Sequence, residues 1–238
     1  MTPATFVLVH GAFHGGWCWK PVARALRAAG HEVFAPSQTG LGDRAHLLSS
    51  LITIDTFVRD IELVIEAEEL QNVILVGHSF GARTITGVSD RIPERLRHLV
   101  YIDGGFPFDG KSRLEGMPRE QREERLARAA GSGGVSVAPP PASTFGVFDP
   151  ELQEWLDRRM TPQPLGAESS RLRLDHPIGN GLPVTYVRCT EPRFPSVETS
   201  ADYARRQPGW HYVEWAAGHD AIVTHPELAV ELLLKTAS

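Results

Sequence analysis

The chain reads as an α/β protein, a mostly parallel sheet flanked by helices, with a cap inserted late in the sequence. Three features carry that reading. Over the first ninety residues, short β-branched apolar runs alternate with helical periodicity, as stacked βαβ units do. The alternation stops between residues 105 and 182, and it returns from residue 183 onward. At 238 residues the chain is long enough for one domain with a sizeable insertion. The expected division is a core of residues 1–104 and 183–238 and a cap of residues 105–182.

Phe6 to Val9 is the first strand, and a helix from Pro21 to Ala29 follows it, ended by Gly30. Glu32 to Ala35 is the second strand. A longer helix then carries Ile54, Phe57, Val58, Ile61, Val64 and Ile65, spaced at three and four so that they share one face. Val73 to Val76 is the third strand, a helix begins just after Ser79, and Leu99 to Ile102 is the fourth strand. The insertion holds a charged helix-like stretch (Arg119 to Ala130), a Gly/Ser run (Gly131 to Gly134) and the triple proline Pro139 to Pro141, none of which extends a parallel sheet. Beyond it come a strand from Val184 to Arg188, a helix around Glu198 to Arg206, a strand from Tyr212 to Trp215 and a closing helix from Glu227 to Lys235.

Composition narrows the function. With 42% apolar and 22% charged residues the chain is neither disordered nor fibrous. A net charge of −5 without a basic block gives no electrostatic footprint for nucleic acid or an anionic membrane. No apolar run approaches the roughly 18 residues of a membrane helix. The N-terminal segment Met1 to Thr5 has no basic region and runs straight into the first strand, so the expected location is the cytoplasm. Cys18 and Cys189 lie far apart and make no metal or redox spacing. These features point to a small-molecule partner and leave a homodimer open.

The chemistry centres on Gly77-His78-Ser79-Phe80-Gly81, a G-x-S-x-G pentad set between an apolar strand and a helix. In that context the turn pushes the serine hydroxyl out of the backbone as a nucleophile. A hydroxyl is a weak nucleophile at neutral pH, so it needs a base, and the base needs a partner to fix its tautomer. Of ten histidines, His219 is best placed, in a loop after the last strand and before the final helix. His78 is expected to point away from the nucleophile's face, His10 to make a structural hydrogen bond, and His225 to mark a helix entry. His10 and His14 lack a third metal ligand. Asp103, at the tip of the fourth strand, and Glu191, at the tip of the next, both keep the chain order serine, acid, histidine. Backbone N–H groups of Phe80 and of Ala12, in the glycine-rich loop after the first strand, are the candidate oxyanion donors.

These residues resemble the α/β-hydrolases of the hydroxynitrile lyase and methylsalicylate esterase branch, with their bacterial esterase relatives. Phe6 to Trp17 is similar to the family's opening strand and oxyanion loop, Gly77 to Gly81 to its nucleophile elbow, and Gly218-His219-Asp220 to its histidine loop. The resemblance implies the α/β-hydrolase fold and a cofactor-free, metal-free hydrolase with Ser79 as nucleophile, His219 as base and donors at Ala12 and Phe80. Two departures matter. The lyases carry a threonine after the first-loop histidine and a lysine after the catalytic histidine, where this chain has Gly11 and Asp220. The family's usual acid position holds Pro192, whereas some other α/β-hydrolases place the acid one strand earlier, where Asp103 lies 24 residues after Ser79. Asp103 is therefore preferred to Glu191.

The expected activity is hydrolysis of a carboxylic ester of a small to medium apolar substrate through an acyl-enzyme. Phe13 and Trp17 from the first loop, with some of Phe106, Phe108, Phe145, Phe148 and Trp155 from the cap, are candidate pocket walls. Two other readings remain at this point, a lyase or carbon–carbon bond reaction on the same fold and a ligand receptor without catalysis.

Overall fold

The computed structural model describes residues 3–238; Met1 and Thr2, at the start of the segment read above for a signal, lie outside the described residues. In chain order the strands are β1 (Thr5–Val9), β2 (Glu32–Phe34), β3 (Val73–His78), β4 (Leu96–Ile102), β5 (Ser136–Val137), β6 (Gln163–Pro164), β7 (Val184–Cys189) and β8 (His211–Trp215). Six of them form one sheet in the order β2-β1-β3-β4-β7-β8, and every neighbouring pair is parallel. The helices are α1 (Lys20–Ala28), α2 (Ile54–Ala67), α3 (Gly81–Arg91), α4 (Arg119–Ala130), α5 (Pro150–Asp157), α6 (Leu165–Ser169), α7 (Glu198–Arg205), α8 (Ala221–Thr224) and α9 (Pro226–Ala237).

A parallel sheet covered on both faces needs strands that are apolar on both sides, and β1 and β3 meet that demand. Phe6 and Leu8 of β1, with Ile74 and Val76 of β3, face the core formed with α1 and α9. Val7 and Val9, with Val73 and Leu75, face the opposite core, which receives Ile54, Phe57, Val58, Ile61 and Ile65 of α2 and Ile85 and Val88 of α3. The three- and four-residue spacing on α2 thus becomes one buried face. Burying each such side chain contributes about 1.5–3 kcal/mol.

The chain runs from β1 outward to β2 and then returns to β3 on the other side of β1, so the strand order reverses between β1 and β3. Loops leaving the carboxyl ends of two strands diverge at such a point and open a crevice. The loop holding Ala12 and the turn holding Ser79 are those two. None of the elements between β4 and β7 joins the sheet; β5 and β6 pair only with each other. The helices α5 and α6, which the proline- and glycine-rich sequence around them concealed, lie in this stretch.

Candidate active site

Ser79 follows β3 with φ 53°, a left-handed backbone that a side-chain-bearing residue adopts only under constraint. The constraint is visible. Its N–H donates to the Ile102 carbonyl at 3.1 Å, and its own carbonyl accepts from the N–H groups of Ala82 and Gly105, each at 3.2 Å. The flanking glycines are required by close approach: a Cβ on Gly81 would lie 2.7 Å from the carbonyl oxygens of Val9 and His10, and one on Gly77 would lie 2.9 Å from the Gly81 oxygen. The pentad's spelling therefore follows from how tightly α3 starts against β1.

The His219 imidazole lies between two partners. Its Nε2 is 2.8 Å from Ser79 Oγ and its Nδ1 is 2.6 Å from Asp103 Oδ2. An ionised Asp103 can only accept, so Nδ1 carries the proton and Nε2 keeps the lone pair that the serine O–H can donate to. Asp103 is fully buried and also sits at positive φ, 44°. Burial by itself would raise its pKa; the hydrogen bond and charge of His219, the Cys189 N–H and the Arg188 guanidinium outweigh it and hold the carboxyl below its ordinary value. Arg188 donates from Nη1 to Asp103 Oδ1 at 2.8 Å, and the Cys189 N–H donates to the same oxygen at 3.0 Å. Both oxygens of Asp103 are thus fixed. Glu191 is exposed, and His219 Nδ1 is already engaged by Asp103.

Ala12 and Phe80 line the cavity over Ser79. Among the described residues neither backbone N–H has an acceptor, which leaves two donors beside the hydroxyl. The cavity, about 570 Å³, is also walled by Phe13, Phe106, Phe108, Phe145 and Phe194. Phe13 is held at φ 67°, with its N–H donating to Gln163 Oε1 at 3.1 Å. Trp17 does not line the cavity; the helical turn Gly16–Trp19 directs it onto the His14 imidazole, 5.4 Å between centroids, and edge-on to Trp155. Phe148 is exposed and Trp155 packs on Trp17, so neither is on the wall.

Three further buried histidines, His78, His10 and His14, support the loops. His78 turns under the site and donates from Nε2 to the His219 carbonyl at 2.8 Å, while burial and the neighbouring His219 push its pKa down to about 4. His10 accepts the Gln38 N–H at Nε2, 3.0 Å, and donates from Nδ1 to the Gly11 carbonyl at 2.8 Å. His14 donates from Nδ1 to the Ala12 carbonyl at 2.7 Å and from Nε2 to Asp220 Oδ2 at 3.1 Å. Sequence reading had no place for Arg188, for the His14–Asp220 pair or for Phe194, which stacks on His219 at 3.9 Å. A charge inside the otherwise uncharged run Val184 to Cys189 was the available sign for Arg188.

A crevice at the strand-order reversal, with serine, aspartate and histidine in that chain order, defines a hydrolase site of the α/β class. The chain belongs to the alpha/beta hydrolase family, whose model matches residues 6–232. It is 40% identical to the "Carbendazim hydrolyzing esterase" of Nocardioides sp. (strain SG-4G), over 96% of this chain and 98% of that protein. An "Alpha-hydroxynitrile lyase" of Arabidopsis thaliana is 35% identical over 103 residues, 43% of this chain and 40% of that one. Among solved structures, an extracellular alpha/beta-hydrolase of a Paenibacillus species, described as sharing structural and functional homology with tobacco salicylic acid binding protein 2, superposes with a TM-score of 0.86 at 25% identity and 99% coverage of both chains.

Proposed function

We propose that this hydrolase cleaves carboxylic esters through an acyl-enzyme on Ser79. The observation that carries the reading is the imidazole of His219, in hydrogen-bond reach of Ser79 Oγ at 2.8 Å on one side and of Asp103 Oδ2 at 2.6 Å on the other. His219 Nε2 takes the hydroxyl proton as Oγ attacks the acyl carbon, and Asp103 offsets the charge of the imidazolium that forms. The N–H groups of Ala12 and Phe80 stabilise the oxyanion of the tetrahedral intermediate. His219 then gives its proton to the departing alkoxide. A water, deprotonated by the same imidazole, attacks the acyl carbon, and the acid leaves as Oγ recovers its proton.

Residues 105–182 act in this reading as a cap that closes the apolar cavity over Ser79, supported by Phe106, Phe108 and Phe145 on its wall. The substrate is a small-molecule ester, and no step calls on a cofactor, a metal, nucleic acid or a membrane. No helix among the described residues is long and apolar enough to cross a membrane. The reading keeps the cytoplasm as the location, supported by Cys18 and Cys189 as free thiols, and fractionation of the native host tests it. It keeps a homodimer as a proposal for light scattering.

The test is a screen of p-nitrophenyl esters of graded chain length, with carbendazim as one further substrate, alongside a serine-directed phosphonate probe. Ester turnover and a phosphonate adduct mapped to Ser79 by mass spectrometry are expected. A folded protein that neither turns over any ester nor takes the label would overturn the reading.

A further inference from the structure

Beside its phenylalanines the cavity is also walled by charge, with the Arg125 guanidinium 5.0 Å from the Phe13 ring centroid. Arg83, Arg113, Arg125 and Arg128 line it, against Glu124 and Glu168. That balance is opposite to the chain's net charge of −5. It is also incompletely neutralised. Glu168 is fully buried, and Arg125 takes both of its carboxylate oxygens in a two-pronged pair, one contact being Nε to Oε2 at 2.8 Å. Arg83, itself buried, is left with backbone carbonyls only: Nη2 donates to Phe106 at 3.0 Å and Nη1 to Lys111 at 3.4 Å, while its buried Nε has no acceptor. Arg113 is half-buried, and its guanidinium has no acceptor among the described residues. Burial and the charge of Arg113 push the pKa of Arg83 down to about 9, which still leaves it cationic at neutral pH; burial lowers that of Arg113 too, against the attraction of Glu168.

A guanidinium held out of bulk water with unused donors is a poor structural element and a good anion receptor, because its planar fork matches a carboxylate. We propose that this arginine wall binds a second, anionic group of the ester, with Arg113 as its principal contact, so that the preferred substrates are monoesters that also carry a free carboxylate. The proposal rests on the esterase reading and adds a specificity determinant to it. The carboxylate is recognised at the arginine wall while the ester carbonyl sits at Ser79, and the apolar ring walls take the carbon chain between them. Arg113 holds the substrate and takes no part in the bond changes.

The experiment compares two pairs of esters, each pair differing only in a terminal carboxylate or carboxamide. One pair is mono-4-nitrophenyl adipate and its carboxamide counterpart, with the group on the acyl side. The other is the butyrate ester of 4-hydroxybutanoate and of 4-hydroxybutanamide, followed by pH-stat, with the group on the alcohol side. In at least one pair the wild-type kcat/KM should favour the carboxylate by about tenfold or more, the scale of a charge-assisted hydrogen bond. Arg113→Gln should bring that ratio to about one, and Arg113→Lys, which keeps the charge but not the planar fork, should retain part of it; the ratio cancels any general loss in either variant. Equal rates in both wild-type pairs, or a ratio unchanged in Arg113→Gln, would overturn the anion subsite.

Calorimetry on Ser79→Ala with the intact esters separates this from the parent reading. Tighter binding of the carboxylate esters without turnover by the wild type would sink the esterase reading and leave the subsite standing. Turnover with no preference in rate or binding would do the reverse.

Discussion

His14 and Asp220 form a fully buried pair, Nε2 to Oδ2 at 3.1 Å, that ties the loop holding Ala12 to the loop holding His219. His14 also donates from Nδ1 to the Ala12 carbonyl, so both ring nitrogens carry protons and the pair is ionic. Burial works against the charge of each partner. Their mutual attraction and hydrogen bond outweigh it, raising the His14 pKa and holding Asp220 down to about 2. The pair braces the spacing between Ala12 and His219, together with the His78 bond to the His219 carbonyl.

Breaking one partner of such a pair strands the other as a buried charge, at a cost of about 3–5 kcal/mol. Asp220→Asn should therefore lower Tm by on the order of 10 °C. The sign of its pH dependence follows from the two shifts. Asp220 contributes stability above its ordinary value of 3.8 and loses it as pH falls toward about 2. His14, with its pKa raised, contributes below 6.5 and loses its share as pH rises through the folded value. The Tm gap between wild type and variant should be widest between about pH 4 and 6.5 and close on the acid side. Scanning calorimetry at pH 3 and 5.5 measures it, and a gap independent of pH would refute the ionic assignment.

Ser79→Ala should remove the nucleophile and leave the fold intact, because the turn is held by the backbone hydrogen bonds to Ile102, Ala82 and Gly105. A loss on the order of 10⁴-fold or more in kcat is expected with Tm little changed. Full activity in the folded variant would end the proposed mechanism.

The acid is tested by Asp103→Asn against Glu191→Gln. An amide at 103 can stabilise the wrong imidazole tautomer and cannot offset the imidazolium charge, so kcat should fall roughly 10²- to 10⁴-fold with KM little changed. Glu191→Gln, altering an exposed side chain, should cost less than about tenfold. Steady-state kinetics on one activated ester decides; a severe defect at 191 with near-normal activity at 103 would reassign the role.

The sheet was legible because parallel strands buried on both faces print as short continuous apolar runs, and the runs at Phe6, Val73, Leu99 and Val184 lie inside β1, β3, β4 and β7. Strand ends likewise carried Ser79, Asp103 and His219 to one rim, since parallel strands deliver all their carboxyl ends to the same side. Residues 105–182 were opaque for the converse reason: α5, α6 and the two-residue strands β5 and β6 are too short to show a period. Trp17 packs on His14 and Trp155, a placement the sequence did not show because the direction of a ring at a loop end depends on the turn that follows. The Arg125–Glu168, Arg188–Asp103 and His14–Asp220 pairs join residues 43, 85 and 206 apart in the chain, which no local pattern encodes.

The last prediction separates ester hydrolysis from the lyase chemistry of the Arabidopsis relative. In cyanohydrin cleavage a positive group beside the base would stabilise departing cyanide. Here the residue after His219 is Asp220, a buried carboxylate with a pKa held near 2, and its charge is already matched by His14. On the other side of the site, Gly11 approaches so closely that a Cβ there would lie 2.8 Å from Ser79 Cβ and 3.2 Å from His78 Nδ1. A threonine hydroxyl at 11 has no room unless the elbow moves. Enzyme incubated with mandelonitrile should therefore release cyanide no faster than buffer, and Gly11→Thr should lower esterase kcat, by roughly tenfold or more, without creating lyase activity. Colorimetric cyanide assay reads both. Saturable cyanide release by the wild type that disappears in Ser79→Ala would place the protein among the lyases instead.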